Sequence, residues 1–103
     1  MGYILAVPDV QQTNVFAAWI DGLRDERAKA RILERARRLA LGLLGDIKAL
    51  GGGVSELRID YGPGYRVYFI RRDAVIYLLL CGGNKGTQAK DIKRAKEMAA
   101  ALQ

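Results

Sequence analysis

Histidine is absent from the 103 residues of this sequence, and cysteine occurs once, at Cys81. Histidine is the commonest general base near neutral pH and the commonest metal ligand. Its absence, without any Cys/His cluster, predicts a protein with no metal site and no cofactor. A single cysteine excludes an internal disulfide and suits a reducing cytoplasm. Because Cys81 ends an apolar run, we expect it to fill the core rather than to act as a nucleophile.

Long apolar runs and targeting signals are also lacking. The N-terminal segment MGYILAVPDV is apolar, but it is too short for a membrane-spanning helix. It has neither the basic start nor the small-residue cleavage site of a signal peptide. The chain length suits one domain over residues 1–103, which no linker, repeat or low-complexity tract divides. We therefore expect a soluble, cytoplasmic protein of one domain.

Acidic residues are the minority charge: 11 Asp and Glu against 17 Lys and Arg give a formal charge of +6. Such an excess favours polyanionic partners, which are nucleic acid, an acidic membrane surface or an acidic protein segment. Arginines spaced three and four residues apart line one face of a predicted helix: Arg24, Arg27, Arg31, Arg35 and Arg38. This face is either solvated, with Glu34 and Asp25 relieving its charge, or it contacts phosphates or docks an acidic partner.

Hydrophobic periodicity and capping residues predict an N-terminal strand and a helical hairpin that pack on a sheet, followed by a last helix. Thr13 is preferred to Asp9 as the first N-cap, because an apolar stripe then occupies one helix face. Asp25 suits the second N-cap and Thr87 the third. The predicted elements are a strand at Tyr3–Val7 extending as far as Val10, helices after Thr13 and at Glu26–Leu43, a short strand or extended approach at Ile47–Leu50, strands at Val54–Tyr61, Tyr65–Arg71 and Val75–Cys81, and a helix at Gln88–Leu102.

Three of these strands carry the strongest pattern. Val54–Tyr61 and Tyr65–Arg71 alternate between apolar and polar residues around a Gly62-Pro63-Gly64 turn, which predicts a hairpin buried on one side only. Val75–Cys81 is almost continuously apolar, which is typical of a central strand covered on both sides. The sequence therefore predicts an antiparallel sheet with one open face.

Basic side chains are expected to converge on that open face. The alternation places Arg58, Arg66 and Tyr68 there. The Gly82-Gly83 pair breaks the last strand, and Lys85 follows at its end. This arrangement predicts an anion site. In the alternative interpretation, Arg58 and Arg66 only form pairs within the sheet with Glu56 or Asp60.

Three blocks of the sequence carry a family resemblance: TNVFAAWIDGLRDERAKARI, GDIKALGGGVSELRIDYGPGYRVYF and LLLCGGNKGTQAKDIKRA. In this order, the chain resembles the RelE/ParE superfamily of bacterial toxins, and within it the HigB-like branch of addiction-module killer proteins. The likeness runs from Thr13 onward. It implies an α+β fold in which an N-terminal strand and a helical hairpin pack on a small antiparallel sheet with a C-terminal helix.

The resemblance also implies a function, that of the toxin in a type II toxin–antitoxin pair. Many such toxins are ribosome-dependent, metal-independent endoribonucleases that cut mRNA, and the basic residues of their site match Arg66, Arg58 and Lys85. The implied partners are mRNA on the ribosome and a cognate antitoxin of helix-turn-helix type. Toxin and antitoxin are expected to form a hetero-oligomer, and no membrane partner is expected. Other possibilities are a ParE-like inhibitor of DNA gyrase, which needs no catalysis, and a degenerate toxin that acts only as the partner of its antitoxin.

The general base of such a nuclease is left open by the sequence. Some relatives use histidine or tyrosine at C-terminal positions where this chain has Gln88, Lys90 and Asp91. The candidates here are Asp91, Glu56, Tyr68 or a lysine of lowered pKa. Asp91 therefore joins Arg66, Lys85 and Arg58 as a candidate catalytic residue. The candidate RNA contacts are Lys48, Tyr68, Gln88 and Lys90.

Overall fold

One five-stranded sheet forms the centre of the fold in this computed structural model, which describes residues 10–73 and 76–102. Its strand order is β1-β5-β4-β3-β2. The elements are β1 (Val10–Gln12), α1 (Asn14–Gly22), α2 (Glu26–Leu39), β2 (Ile47–Gly51), β3 (Val54–Ile59), β4 (Tyr65–Arg72), β5 (Ile76–Asn84), a 3-10 turn (Lys85–Thr87) and α3 (Gln88–Ala101). Strands β2 to β5 pair antiparallel, whereas β1 runs parallel to β5. The fold is α+β, with a mixed sheet where an antiparallel one was predicted.

The helical hairpin begins where its capping residues predict. The Thr13 hydroxyl accepts a hydrogen bond from the Phe16 amide at 3.1 Å, and the Asp25 carboxylate accepts from the amides of Arg27 and Ala28. Each cap satisfies backbone donors that the first helical turn would otherwise leave unpaired. Both N-cap predictions for the hairpin are confirmed, whereas Thr87 precedes α3 without a capping hydrogen bond from its side chain.

The predicted end of the second helix is wrong. Helix α2 ends at Leu39, four residues before Leu43, because the chain turns through Gly42 at a positive φ of 75°. Leu43, the last residue of the predicted helix, is 58% exposed. The apolar pattern in the sequence continues to Leu43, but the helix ends earlier because a glycine in the left-handed region turns the chain.

Helices cover both faces of the sheet, so the prediction of one open face is also wrong. On one face, α1 and α2 pack over a core that includes Phe16, Ile32, Leu57 and Val67. On the other face, α3 packs over Tyr68, Leu80 and other apolar residues. The alternation of β3 and β4 had suggested a solvated face because it carries Glu56 and Tyr68, yet both side chains have no exposed surface.

Strand β5 continues through Gly82 and Gly83, where the sequence predicted a break. Neighbouring side chains occupy the space above each glycine: a Cβ on Gly82 would overlap the Trp19 ring, and one on Gly83 would overlap the Asp91 carboxylate. These glycines therefore allow α1 and α3 to approach opposite faces of one strand closely. The prediction that β5 is covered on both sides is confirmed for its described residues.

Two predicted features fall outside the described residues, namely the strand at Tyr3–Val7 and the start of the last strand at Val75. The predicted strand at Ile47–Leu50 is confirmed as β2, and the predicted last helix as α3. Within residues 10–73 and 76–102, no helix combines the length and the apolarity needed to cross a membrane.

Candidate functional site

A cleft of about 410 Å³ opens where β3 ends, β4 begins and β5 ends. Three basic residues line it, Arg58, Arg66 and Lys85, and we call it the cationic cleft. Its other lining residues are Asp46, Asp60 and the turn Gly62, Pro63 and Gly64. The structure thus brings together the three basic residues that the sequence predicted to converge, although at the end of a covered face rather than on an open one.

Strand register places these residues side by side. Arg58 on β3 lies opposite Arg66 on β4, and Arg66 lies opposite Gly83 on β5. Lys85 follows two residues after Gly83. A Cβ built on Gly64 would lie 3.3 Å from Arg66 Nη1 and 3.5 Å from Lys85 Cβ, so both side chains approach the same turn residue.

A buried carboxylate connects the two arginines from beneath. Glu56 Oε1 accepts a hydrogen bond of 3.0 Å from Arg58 Nε, and Oε2 lies 3.9 Å from Arg66 Nε. The Gln88 side-chain amide donates to Oε2 at 2.8 Å. Burial favours the neutral acid, but the hydrogen bonds from Gln88 and Arg58 and the charge of Arg66 outweigh it and hold the pKa of Glu56 below its usual value. The predicted pairing of both arginines with Glu56 is therefore present, and the cleft beside it stays open.

Arg66 is held more rigidly than its partners in the cleft. Its Nη1 donates to the carbonyl oxygens of Gly64 at 3.0 Å and Tyr65 at 3.2 Å, and its side chain is only 13% exposed. Its Nη2 makes no hydrogen bond to any residue that the structure describes. A guanidinium fixed in this way can offer its remaining donors to an oxyanion with little loss of side-chain entropy.

The loop that carries Lys85 is held by Asn84. The Asn84 side-chain oxygen accepts hydrogen bonds from the backbone amides of Gly86 at 2.8 Å and Thr87 at 3.2 Å. Lys85 itself is exposed at the rim of the cleft. Its ammonium group pairs with no carboxylate among the described residues, so it can contribute charge to the cleft beside Arg66.

The predicted RNA contacts are dispersed. Lys48 on edge strand β2 and Lys90 on α3 are exposed, and neither lines the cleft. Gln88 is partly buried and donates to Glu56. Tyr68 has no exposed surface beneath α3, so the prediction that it contacts RNA is wrong. Burial and the neighbouring Glu56 carboxylate also raise the pKa of Tyr68 far above its usual range.

Three of the candidate general bases, Asp91, Glu56 and Tyr68, do not reach the cleft either. Asp91 is buried against Gly83, and its carboxylate accepts a hydrogen bond from the Thr87 hydroxyl. Glu56 and Tyr68 lie under α3. The carboxylates that do line the cleft are Asp46 and Asp60. Asp60 was predicted only as an ion-pair partner, and the sequence gives no signal for Asp46, because no local pattern distinguishes a loop aspartate that the fold brings to β3 from any other.

Asp46 is placed by the backbone. Its carbonyl oxygen accepts a hydrogen bond from the Arg58 amide at 2.9 Å, which extends the pairing of β2 and β3 toward the cleft. Its side chain is 63% exposed and lies 4.0 Å from Arg58 Nη1. An exposed pair of this kind contributes little to stability. The aspartate therefore adjusts the charge at the rim rather than closing the cleft.

Comparison with known proteins gives one informative relative. An uncharacterized protein of Haemophilus influenzae (strain ATCC 51907 / DSM 11121 / KW20 / Rd) is 50% identical over 93 residues, which are 90% of this chain and 94% of that protein. No family model matches the chain. The two proteins therefore share a fold along almost their whole lengths.

Proposed function

We propose that the chain, which belongs to one family with that Haemophilus influenzae protein, is the toxin of a type II toxin–antitoxin module. In this proposal the toxin is a ribosome-dependent endoribonuclease that cuts mRNA without a metal ion and so inhibits translation in the cytoplasm. The cationic cleft is the site of cleavage. The sequence blocks described above support the assignment to the RelE/ParE superfamily and its HigB-like branch.

One observation carries the proposal: Arg58, Arg66 and Lys85 line a single cleft that has room for a phosphodiester. Three basic residues that were scattered on the surface, or that were closed off by carboxylates, would not support it. The Glu56 carboxylate does bind both arginines, but it does so from the buried side. Arg58 keeps 34% of its side chain exposed, so its guanidinium remains accessible to a ligand.

The proposed reaction is an internal transesterification. The ribose 2′-oxygen attacks the adjacent phosphorus, a bond between them forms, and the bond from phosphorus to the 5′-oxygen breaks. The 2′-hydroxyl proton passes to a base, and the leaving 5′-oxygen takes up a proton. The products are a 2′,3′-cyclic phosphate and a 5′-hydroxyl end. Negative charge grows on the phosphorus oxygens in the transition state, where the guanidinium donors of Arg66 and Arg58 and the Lys85 ammonium stabilise it.

A second candidate function is supported by a specific observation. Three of the candidate bases considered from the sequence, Asp91, Glu56 and Tyr68, are buried and do not line the cleft. A cationic cleft that none of these three groups reaches suits phosphate binding without catalysis. This observation favours a ParE-like inhibitor of DNA gyrase over a nuclease.

A translation extract separates the two functions. When the purified chain is added and mRNA 5′ ends are mapped, a nuclease produces cuts in phase with codons and leaves 5′-hydroxyl ends. Intact mRNA in an extract with active ribosomes contradicts the nuclease. Stalled gyrase in a supercoiling assay, together with intact mRNA, establishes the second function instead.

A growth assay tests the toxin assignment itself. Induction of the chain alone is expected to arrest a bacterial host, and co-expression of its antitoxin is expected to restore growth. The proposed antitoxin is a small protein with a helix-turn-helix domain that forms a hetero-oligomer with the toxin and complements its basic surface. If the host grows normally although soluble chain is produced, the remaining function is that of a degenerate toxin, which binds the antitoxin and has no activity of its own.

A further inference from the structure

A second cleft of about 400 Å³ lies between helix α2 and the end of β3. Three arginines from successive turns of α2 line it, Arg31, Arg35 and Arg38, and we call it the α2 cleft. Asp60 lines both the α2 cleft and the cationic cleft, so the two are adjacent. The predicted arginine face of α2 is therefore not uniform: part of it forms a concave wall beside the proposed cleavage site.

Arg35 links the two clefts through the backbone. Its Nη1 donates to the Arg58 carbonyl oxygen at 2.9 Å, and its Nη2 is buried with no hydrogen-bond partner among the described residues. The guanidinium also packs against Gly45, where the positive φ of 67° and the lack of a Cβ leave room for it. Because Nη2 is buried on the side of Gly45, which does not line the α2 cleft, Arg35 contributes a fixed positive charge to the wall rather than an open donor.

Arg38 and Arg31 differ in how their positive charges are balanced. Hydrogen bonds from Arg37, and to a lesser extent from Arg38, hold the pKa of Glu34 at about 2, so this carboxylate is ionised and offsets part of the charge of Arg37 and Arg38. Arg31 instead stacks over the Tyr61 ring, with its guanidinium carbon 4.7 Å from the ring centroid. No carboxylate in the described part of the chain forms an ion pair with Arg31 or Arg35.

We propose that the α2 cleft is a second binding subsite for single-stranded RNA, which holds phosphates of the same strand that enters the cationic cleft. This inference rests on the proposed function and names the substrate surface beyond the scissile phosphate. Arg31 binds phosphate oxygens, Arg35 adds positive charge at the wall, and Arg38 supplements them while it shares Glu34 with Arg37. The strand passes the Asp60 position between the two clefts.

RNA fits this surface better than an acidic peptide for two reasons. The α2 cleft shares Asp60 with a cleft whose three basic residues suit a phosphodiester. Arg31, which lies over the Tyr61 ring, is also exposed, and an unpaired base can stack on an arginine guanidinium. A carboxylate-bearing segment would use the arginines but would gain nothing from the stacked pair.

The test measures binding without cleavage. Fluorescence anisotropy of the full chain is recorded against a 2′-O-methylated oligoribonucleotide of about 12 nucleotides and against a 2′-O-methylated dinucleotide, over a range of salt concentrations. The 2′-O-methyl group removes the attacking hydroxyl, so affinity is read independently of catalysis. The lining double variant Arg31→Ala/Arg38→Ala is compared with Arg24→Ala/Arg27→Ala, which removes the same charge from exposed positions that line neither cleft.

The lining variant is expected to bind the long oligonucleotide about tenfold more weakly, with a salt slope lower by about 0.7 for each lost phosphate contact. It binds the dinucleotide as wild type does, and the control variant stays within about twofold for both. Equal weakening by both double variants, or wild-type affinity in the lining variant, overturns the subsite. The proposal is also overturned if the lining variant binds a polyglutamate peptide more weakly than wild type does while its RNA binding is unchanged. The cleft is then a peptide site. Because the 2′-O-methylated probe cannot be cut, the binding result does not depend on whether the chain cleaves mRNA in the extract. A failure of the subsite and a failure of the proposed nuclease function are therefore distinguishable.

Discussion

The Glu56 carboxylate, which has no exposed surface, accepts a hydrogen bond of 3.0 Å from Nε of Arg58, whose guanidinium lines the cationic cleft. The carboxylate thus supports the cleft from inside the protein. Charge pairing of this kind costs desolvation, so its benefit lies in a defined position for the arginine more than in stability. Removal of the carboxylate should affect both the fold and the orientation of Arg58 and Arg66.

Glu56 is expected to make stability depend on pH. Its pKa in the folded chain lies below the unfolded value of about 4.3, so its contribution is present above that value and is lost as pH falls through the folded pKa. Glu56→Gln should lower the free energy of unfolding by about 1–3 kcal/mol near neutral pH. Urea denaturation near neutral pH and at about pH 3 should show the gap to wild type narrowing in acid. The exposed control Glu97→Gln should track wild type; a constant gap for Glu56→Gln contradicts the linkage.

Gly83 should resist substitution because of what lies above it. A Cβ there would overlap the Asp91 carboxylate and lie 2.8 Å from Thr87 Oγ1, so Gly83→Ala must displace the start of α3. The expected loss is about 1–3 kcal/mol, measured by thermal or urea unfolding. The matched control is Gly22→Ala at the end of α1, where a Cβ meets nothing within 4 Å. That change should raise stability by about 0.4–1 kcal/mol. Similar losses for both variants would contradict the close approach at Gly83.

Thr13 is expected to contribute more than an ordinary N-cap. Its hydroxyl accepts from the Phe16 amide and donates to the Leu80 carbonyl oxygen at 2.6 Å, so it joins α1 to β5. Thr13→Ala should cost about 1–2 kcal/mol in urea unfolding. Thr13→Ser keeps the hydroxyl and should recover most of that loss. If serine is as destabilising as alanine, the methyl group rather than the hydroxyl carries the effect.

Local signals were predictable from the sequence, and these include both helix starts. Thr13 and Asp25 act through hydrogen bonds to residues two or three positions away, so the residue types alone predict the caps. The end of α2 was not predictable in the same way. The apolar period of the helix continues to Leu43, and only the backbone turn at Gly42 shows where the helix ends.

The candidate site was predicted in part, for a related reason. Alternation along β3 and β4 placed Arg58 and Arg66 on one face, and strand register then put them side by side. Alternation cannot distinguish a solvated polar face from a buried polar network, because both place polar residues at every second position. That ambiguity explains the wrong prediction for Tyr68. Asp46 reaches the cleft through a contact between segments distant in sequence, which no local pattern contains.

The rate of mRNA cleavage by the Arg66→Ala variant tests the central claim most directly. In a reconstituted translation system, Arg66→Ala should cut mRNA about 100- to 1,000-fold more slowly than wild type, as expected for the loss of one fixed donor to the transition state. Arg72→Ala removes the same charge from the opposite end of β4 and should stay within about twofold of wild type. If wild type cleaves and folded Arg66→Ala cleaves equally fast, the cationic cleft is not the site of the reaction.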